Sequence, residues 1–212
     1  MNRLLSRRHF AACVLAAASL SMSSLAQAAD EAADVFIKRV SSDILEAIKA
    51  DKSIRNGDIN KIIVLVDQRV MPNVNFLRMT ASAVGPGWRQ ATPEQQKRLQ
   101  EEFKTLLVRT YAGALGQVSD QTIAVKPLRA AADDKEVMVR TEVRGKGDPI
   151  QLDYRVEKTA DGSWKVYNMN VMGIWLVENY KTQFVQEINA KGVDGLIASL
   201  VDRNKSNARA SK

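Results

Sequence analysis

The spacing of apolar residues changes twice along this chain, and these changes restrict the folds that it can adopt. Up to about residue 118, apolar residues recur every three or four positions, which is the period of a helix packed on a core. Between about 119 and 172 they alternate with polar residues, as in strands with one buried face. From about 173 the helical period returns. Helices, sheet and helices in this order predict an α+β fold.

Four helices are predicted in the first half of the chain. The first spans about 30–50, where the apolar residues form one stripe. Asp58 caps the second helix, which ends before Pro72, and Asn73 caps a short third helix. The fourth begins at Thr92–Gln95, because a capping threonine, a proline at the first helical position and a glutamine at the third are typical of a helix start.

The alternating region predicts a four-stranded antiparallel sheet. Its strands begin near Ile123, Val137, Ile150 and Trp164, and turn-forming residues separate them. One face of the sheet is apolar and the other is polar, so helices from both ends of the chain are expected to cover the apolar face.

The sequence predicts one domain over residues 29–204. It comprises a helical part at 29–118, the sheet at 119–172 and C-terminal helices at 173–204, and residues 205–212 are predicted to be a disordered tail.

Residues 1–28 have the pattern of a cleaved signal peptide. Three arginines precede an apolar run from Phe10 to Leu25, and Ala26-Gln27-Ala28 forms the cleavage motif. A membrane anchor is the alternative, but the run is shorter than the roughly 20 residues of a spanning helix. Residues 6–10 also resemble a twin-arginine signal, and an ordinary charged leader fits them equally well.

Cleavage of the predicted signal removes residues that many catalytic mechanisms require. His9 and Cys13 are its single histidine and cysteine, and both lie in the predicted signal. The mature sequence therefore cannot form a Ser-His-Asp triad, a cysteine nucleophile, a zinc site or a disulfide. We predict no catalytic residue, no metal and no cofactor. One catalytic alternative stays open, a pair of carboxylates contributed by residues that are distant in the sequence.

The charge of the chain indicates an affinity for anionic surfaces. Of 31 Lys and Arg residues, three lie in the signal, so 28 remain against 24 Asp and Glu. They are spread along the chain. Such a distribution favours surfaces such as phospholipid headgroups over nucleic acid, which requires a dense basic stripe.

Residues 168–184 (NMNVMGIWLVENYKTQF) concentrate apolar and aromatic side chains. They follow no single period around Gly173, so the segment is apolar on several sides where strand passes into helix. Two interpretations are open. The segment is an ordinary part of the core, or it is a wall shared with an apolar ligand, for which flexible methionines are suited.

Two long motifs resemble a known family. The first is GWRQATPEQQKR at 87–98, followed by FKTLLVRTY at 103–111. The second begins with GSWKVY at 162–167 and continues through Gly173, Asn179-Tyr180 and Gln183-Phe184 to GVDGLI at 192–197. Together they resemble the MlaC or toluene-tolerance family over nearly the whole mature chain.

This resemblance implies a periplasmic phospholipid carrier of Gram-negative bacteria. Such a carrier maintains outer-membrane lipid asymmetry by shuttling glycerophospholipid between an outer-membrane lipoprotein–porin complex and an inner-membrane ABC transporter with a hexameric ring component. The implied fold is a curved antiparallel sheet covered by helices, with an acyl-chain cavity between them. The protein is expected to be a monomer with phospholipid as cargo, no cofactor and no nucleic-acid partner.

Twelve apolar residues are predicted to line this cavity. Those on motif positions are Trp88, Phe103, Leu107, Tyr111 and Tyr180, and those chosen from periodicity are Phe76, Val139, Leu152, Tyr154, Met172, Ile174 and Trp175. Arg89, Arg109 and Lys181 are candidate headgroup residues at the mouth.

The chain departs from the family pattern at three positions, Asn168, Trp175 and Lys181. The family has aspartate, serine and arginine there. The tryptophan predicts a narrowed cavity or an altered mouth. Two other functions stay open, an isomerase-like enzyme with a carboxylate base and a periplasmic chaperone.

Overall fold

Helical segments precede and follow the sheet in the computed structural model, which describes residues 31–131 and 133–210. The elements are α1 (Ala33–Ala50), α2 (Lys52–Arg55), α3 (Ile59–Leu65), α4 (Phe76–Val84), α5 (Pro93–Leu115), β1 (Thr122–Val125), β2 (Glu136–Arg144), β3 (Ile150–Lys158), β4 (Trp164–Val171), β5 (Ile174–Trp175) and α6 (Leu176–Ala210). The predicted α+β class is confirmed, and the predicted signal peptide lies outside the described residues. None of the helices within 31–131 and 133–210 has the length and apolar composition needed to cross a membrane.

Two helices begin where local sequence predicts. The side chain of Asp58 accepts hydrogen bonds from the backbone amides of Asn60 and Lys61 at the start of α3. At the start of α5, Thr92 accepts from the Gln95 amide, and the Gln95 side chain accepts from the Thr92 amide. This reciprocal pair satisfies two amides that have no partner within the helix.

The cap of α4 is Asn75, and the prediction of Asn73 was wrong. Asn73 ends a 3₁₀ turn, Met71–Asn73, where its side chain donates to the carbonyl of Arg69. Val74 is then extended and pairs with Val166 of β4, so the helix can begin only after it. Asn75 accepts a hydrogen bond from the Arg78 amide.

Helix α6 has two halves, as predicted, because Gly192 adopts φ 71° and ψ −177°, a conformation open essentially to glycine alone. The second half continues to Ala210, so residues 205–210 are helical and the predicted disordered tail was wrong for them. The Asn204 side chain secures this half by donating to the carbonyl and the carboxylate of Glu102 on α5.

The sheet is an antiparallel meander in the order β1-β2-β3-β4-β5. Four strands were predicted, and the fifth, Ile174–Trp175, lies where the C-terminal helix was expected to begin. Met172 and Gly173 form the connecting turn with φ of 51° and 89°. This tight hairpin explains why the segment follows neither period cleanly.

A bulge in β4 changes which of its residues face the core. Arg155 pairs with Asn168 but Val156 pairs with Val166, so Tyr167 is the extra residue. Val166 therefore shares the apolar face with Val156, whereas Asn168 lies on the opposite face. That opposite face was predicted to be solvated, yet Asp153, Asn168 and Asn170 are buried there.

Three apolar clusters hold the layers together. One lies between α1 and the sheet and includes Phe36, Ile37, Val139, Val156 and Val166. A second joins α4, α5 and α6 through Phe76, Phe103, Tyr180, Phe184 and Leu200. A third joins α1, α2, α3 and α5 through Ile48, Ile54, Ile62, Val108 and Ala112. Val74 packs against the first two clusters, so it lies at the boundary between the sheet layer and the helical layer.

Candidate functional site

An aromatic cluster runs through the helical layer. The Phe103 ring on α5 is 5.8 Å from Phe76, 5.0 Å from Tyr180 and 5.2 Å from Phe184, measured between ring centres. Its contacts with Tyr180 and Phe184 are edge-on, which is a favoured geometry for aromatic pairs. Burial raises the pKa of the Tyr180 hydroxyl, and the neighbouring Thr110 side chain acts in the opposite direction.

The aromatic cluster reaches the sheet at the start of α4. Phe76 follows Asn75, whose backbone amide donates to the carbonyl of Val166 at 2.8 Å. Val74 pairs with the same strand residue and packs against both apolar clusters. We call this boundary, formed by Val74, Asn75 and Phe76 against Val166, the seam.

The predicted cavity residues fall into several groups. Phe76, Phe103 and Tyr180 are buried in the helical cluster, with Trp88 and Leu107 packed against it. Val139 and Tyr154 belong to the sheet cluster under α1. Tyr111 and Leu152 are half-buried, and burial raises the pKa of Tyr111. Met172 and Ile174 lie on the surface with exposed fractions of 71% and 56%. Lipid contact by these residues stays a prediction.

Trp175 lies on the polar face of the sheet. The guanidinium carbon of Arg155 is 4.0 Å from the centre of its ring, and Arg155 also donates to the carboxylate of Glu178. Asn168 donates to the other oxygen of Glu178 at 2.7 Å and accepts from the Val177 amide at 3.2 Å. Two of the three departures from the family pattern, Asn168 and Trp175, therefore meet in one network.

This network fixes the first turn of α6 over the sheet. Burial acts to raise the pKa of Glu178, but hydrogen bonds from Asn168 and Arg155 outweigh it and hold the pKa below its usual range. The first turn of α6 covers the polar face, which explains the burial of Asn168. Trp175, which we predicted at the cavity or its mouth, lies on the face of the sheet opposite the cluster under α1, and its contact with lipid stays a prediction.

A second polar network joins α4 to the sheet. Arg78 lies 3.7 Å above the ring of Tyr167 and contacts the carboxylates of Glu157 and Glu136, the latter at 2.9 Å. Tyr167 donates to Glu136 at 2.9 Å. The hydrogen bond from Arg78 holds the pKa of Glu136 below its usual range. Because Tyr167 is the bulge residue, the bulge presents this ring to Arg78.

A cleft of about 320 Å³ opens between α5 and both halves of α6. Three pairs of residues spaced by four line it: Leu106 and Thr110 on α5, Asn179 and Gln183 on the first half of α6, and Arg203 and Asn207 on the second. Tyr180, from the aromatic cluster, completes the lining. A larger cleft of about 680 Å³ lies beside β2, with Arg129 and Arg140 facing Asp134 and Glu136.

None of the predicted mouth cations lines the cleft between α5 and α6. Arg89 is exposed on the 3₁₀ turn Gly85–Arg89, and Lys181 is exposed beside Gly85. Arg109 is half-buried on α5, and its Nε has no hydrogen-bond partner within the described part of the chain. The cation among the described lining residues is Arg203, which was not among the predicted mouth residues. The spacing of four between the polar residues of α6 was the signal.

Within 31–131 and 133–210, no group of three or more His, Cys, Asp or Glu side chains is placed to hold a metal ion.

Comparisons with known proteins agree on one family. A model of the family described as MlaC protein matches residues 38–202. The toluene tolerance protein ttg2D of Pseudomonas putida is 30% identical over 160 residues, which is 74% of each chain. The intermembrane phospholipid transport system binding protein MlaC of Haemophilus influenzae is 25% identical over 169 residues, or 78% of this chain and 79% of that protein.

A solved structure is also similar. It is a phospholipid-binding protein from Ralstonia solanacearum, determined in complex with a phospholipid. It shares 49% identity and a TM-score of 0.80 with this chain, and the match covers 83% of this chain and 98% of that one.

Proposed function

Because the chain belongs to the MlaC family, we propose that it is a periplasmic glycerophospholipid carrier. It shuttles lipid between an outer-membrane lipoprotein–porin complex and an inner-membrane ABC transporter, and so maintains outer-membrane lipid asymmetry. The observation that carries the proposal is the similarity, at 49% identity, to a protein solved with a phospholipid bound.

The layered core supports acyl-chain binding. The sheet layer and the helical layer meet at the seam, and aromatic rings continue from Phe76 to Phe103 and Tyr180. Acyl chains that enter between the layers replace contacts among these apolar side chains, so the apolar surface stays out of water in both states.

The free energy of moving acyl chains out of water explains why a carrier need not bind lipid extremely tightly. A two-chain phospholipid has roughly 30 acyl methylenes, each worth about 0.8 kcal/mol on leaving water. The gross gain of roughly 24 kcal/mol exceeds the practical limit for noncovalent affinity. A bilayer offers nearly the same gain, however. The carrier must only match the membrane, and its docking partners set the direction of transfer.

The enzyme alternative requires a carboxylate base beside the apolar surface. Asp153 is buried, and its Oδ1 has no hydrogen-bond partner among the described residues. It pairs in register with Asn170, however, and lies among polar side chains, on the face of β3 opposite Tyr154 and the cluster under α1; Gln151 donates to its other carboxylate oxygen. This placement favours a carrier over an isomerase of apolar substrates.

Organic extraction of the purified protein and mass spectrometry test the proposal. We expect about one glycerophospholipid per protein, and a delipidated sample should regain lipid from vesicles. Protein that arrives empty and takes no lipid would falsify the carrier. Binding of unfolded polypeptide without lipid would indicate the chaperone, and turnover abolished by Asp153→Asn would indicate the enzyme.

A further inference from the structure

The cleft between α5 and α6 has the composition of an anion site. Four of its seven lining residues, Thr110, Asn179, Gln183 and Asn207, carry neutral hydrogen-bonding groups, and Arg203 supplies a positive charge. No carboxylate is among the described residues that line it. The cleft beside β2 differs, because its two arginines face two carboxylates.

Among the described residues, no salt bridge neutralises the guanidinium of Arg203. Within residues 31–131 and 133–210, it has no carboxylate within 4.0 Å, and its hydrogen bond goes to the neutral Oε1 of Gln183 at 3.1 Å. Glu187 is the acidic neighbour whose pKa Arg203 influences, but its carboxylate is held by Lys191 at 3.1 Å and by Ser199 at 3.0 Å. Arg203 therefore keeps donors for a planar, bidentate anion contact.

The floor of the cleft is apolar and continues inward. Leu106 and Tyr180 are buried members of the helical cluster, and Tyr180 lies 5.0 Å from Phe103 and 5.5 Å from Phe184. A polar rim over an aromatic floor fits a molecule with an anionic head and a hydrocarbon body. A volume of about 320 Å³ holds roughly ten waters, which suits a phosphodiester but not a whole two-chain lipid.

We propose that this cleft binds a phosphoryl anion, with Arg203 as its cation and the side chains of Thr110, Asn179, Gln183 and Asn207 as hydrogen-bonding partners. The inference rests on the proposed function for the source of that anion, a phospholipid headgroup whose acyl chains pass Tyr180 towards Phe103. Inorganic phosphate carries the same chemistry, so the experiment separates the two sources.

The test compares ligands that differ only in the phosphoryl group. Delipidated protein is titrated with dioleoylphosphatidylglycerol, with dioleoylglycerol and with inorganic phosphate. Arg203→Gln removes the charge, Arg203→Lys keeps it, and Arg209→Gln is the matched control on the same helix, outside the cleft lining. Circular dichroism and thermal unfolding establish that each variant is folded.

We expect Arg203→Gln to weaken phosphatidylglycerol binding about tenfold, the scale of a charge-assisted hydrogen bond. Dioleoylglycerol binding should not change, Arg203→Lys should recover part of the loss, and Arg209→Gln should bind like the wild type. Equal losses for both lipids, or equal effects of the two glutamine variants, would overturn the proposal.

Failure of the carrier function gives a different result. If neither lipid binds the wild type while inorganic phosphate binds and is lost in Arg203→Gln, the anion site stands and the lipid source is wrong. If phosphatidylglycerol binds and no ligand responds to Arg203→Gln, lipid binding stands and the anion site is wrong.

Discussion

Arg155 on β3 lies 4.0 Å above the ring of Trp175, and this contact joins β3 to the end of β5, immediately before α6 begins at Leu176. The same arginine pairs with Glu178, so one side chain holds both the last strand and the first turn of the helix. We therefore expect Trp175→Ala to lower the free energy of unfolding by about 1 kcal/mol. Urea unfolding of Trp175→Ala, Arg155→Ala and the double variant measures the coupling.

The amount of lipid bound should not depend on Trp175, because its ring is stacked against Arg155 and is not part of either apolar cluster that meets at the seam. Extraction of the Trp175→Ala variant should return the same lipid per protein as the wild type. A loss of lipid without a loss of stability would place Trp175 at the cavity, as predicted from the periodicity of the sequence.

Leu107 tests the acyl-chain cavity from the helical side. It is half-buried and packs against the aromatic cluster, so Leu107→Trp should occupy space that acyl chains need. We expect lipid per protein to fall several-fold, measured by extraction. Leu115→Trp, on the same helix but packed against the third cluster, should leave the lipid content unchanged. Equal effects of the two variants would argue against acyl chains beside Leu107.

Arg78 should stabilise the fold more than an exposed arginine does. Its side chain is 32% exposed and that of its partner Glu157 is 17% exposed, whereas Arg69 and its partner Asp43 are about half exposed. Arg78→Met should therefore cost about 2 kcal/mol of stability, and Arg69→Met less than about 1 kcal/mol. Denaturant unfolding of both variants measures the difference, and equal losses would show that the contact with the sheet adds little.

Asp161, in the turn between β3 and β4, should titrate at unusually low pH. Hydrogen bonds from Thr159 and Ser163 lower the pKa of Asp161 from 3.8 to about 2. The ionised Asp161 carboxylate therefore stabilises the folded state fully above pH 3.8, and this contribution is lost as the pH falls through about 2. An NMR titration of the carboxyl carbon should find this pKa. Thr159→Val should move it back towards 3.8, and Thr105→Val on α5 should not.

Gly192 should resist substitution because of its backbone conformation. With φ of 71° and ψ of −177°, an alanine there should cost about 1–3 kcal/mol. Gly113 lies within α5, and an added Cβ would meet nothing within 4 Å, so Gly113→Ala should raise stability by about 0.5–1 kcal/mol. Thermal unfolding should show opposite shifts. A stable Gly192→Ala protein would mean that α6 straightens at little cost.

Prediction from sequence succeeded where the cause is local. The capping box at Thr92 and Gln95 involves neighbours three residues apart, so it marks the start of α5 without any distant contact. It failed at Asn73, because the pairing of Val74 with Val166, more than ninety residues away, keeps the chain extended until Asn75. No short-range pattern carries that information.

The candidate site shows the same division between features with a local cause and features that depend on distant contacts. Its aromatic residues were identified from motif and period, and Phe76, Phe103 and Tyr180 do meet in one cluster. Arg203 was not identified from the sequence, because it joins Asn179 and Gln183 at the cleft only when the two halves of α6 fold against α5. The bulge at Tyr167 could not be predicted from the sequence of β4 alone either, because a register shift depends on both paired strands.

The sequence by itself determined the order of helices and strands, the apolar face of the sheet and the break at Gly192, because each depends on residues within a few positions of one another. Tertiary structure alone decided the side of the sheet that Trp175 occupies, the cap of α4 and the cation that faces the cleft. These depend on contacts between residues far apart in the chain, and such contacts exist only once the layers have packed.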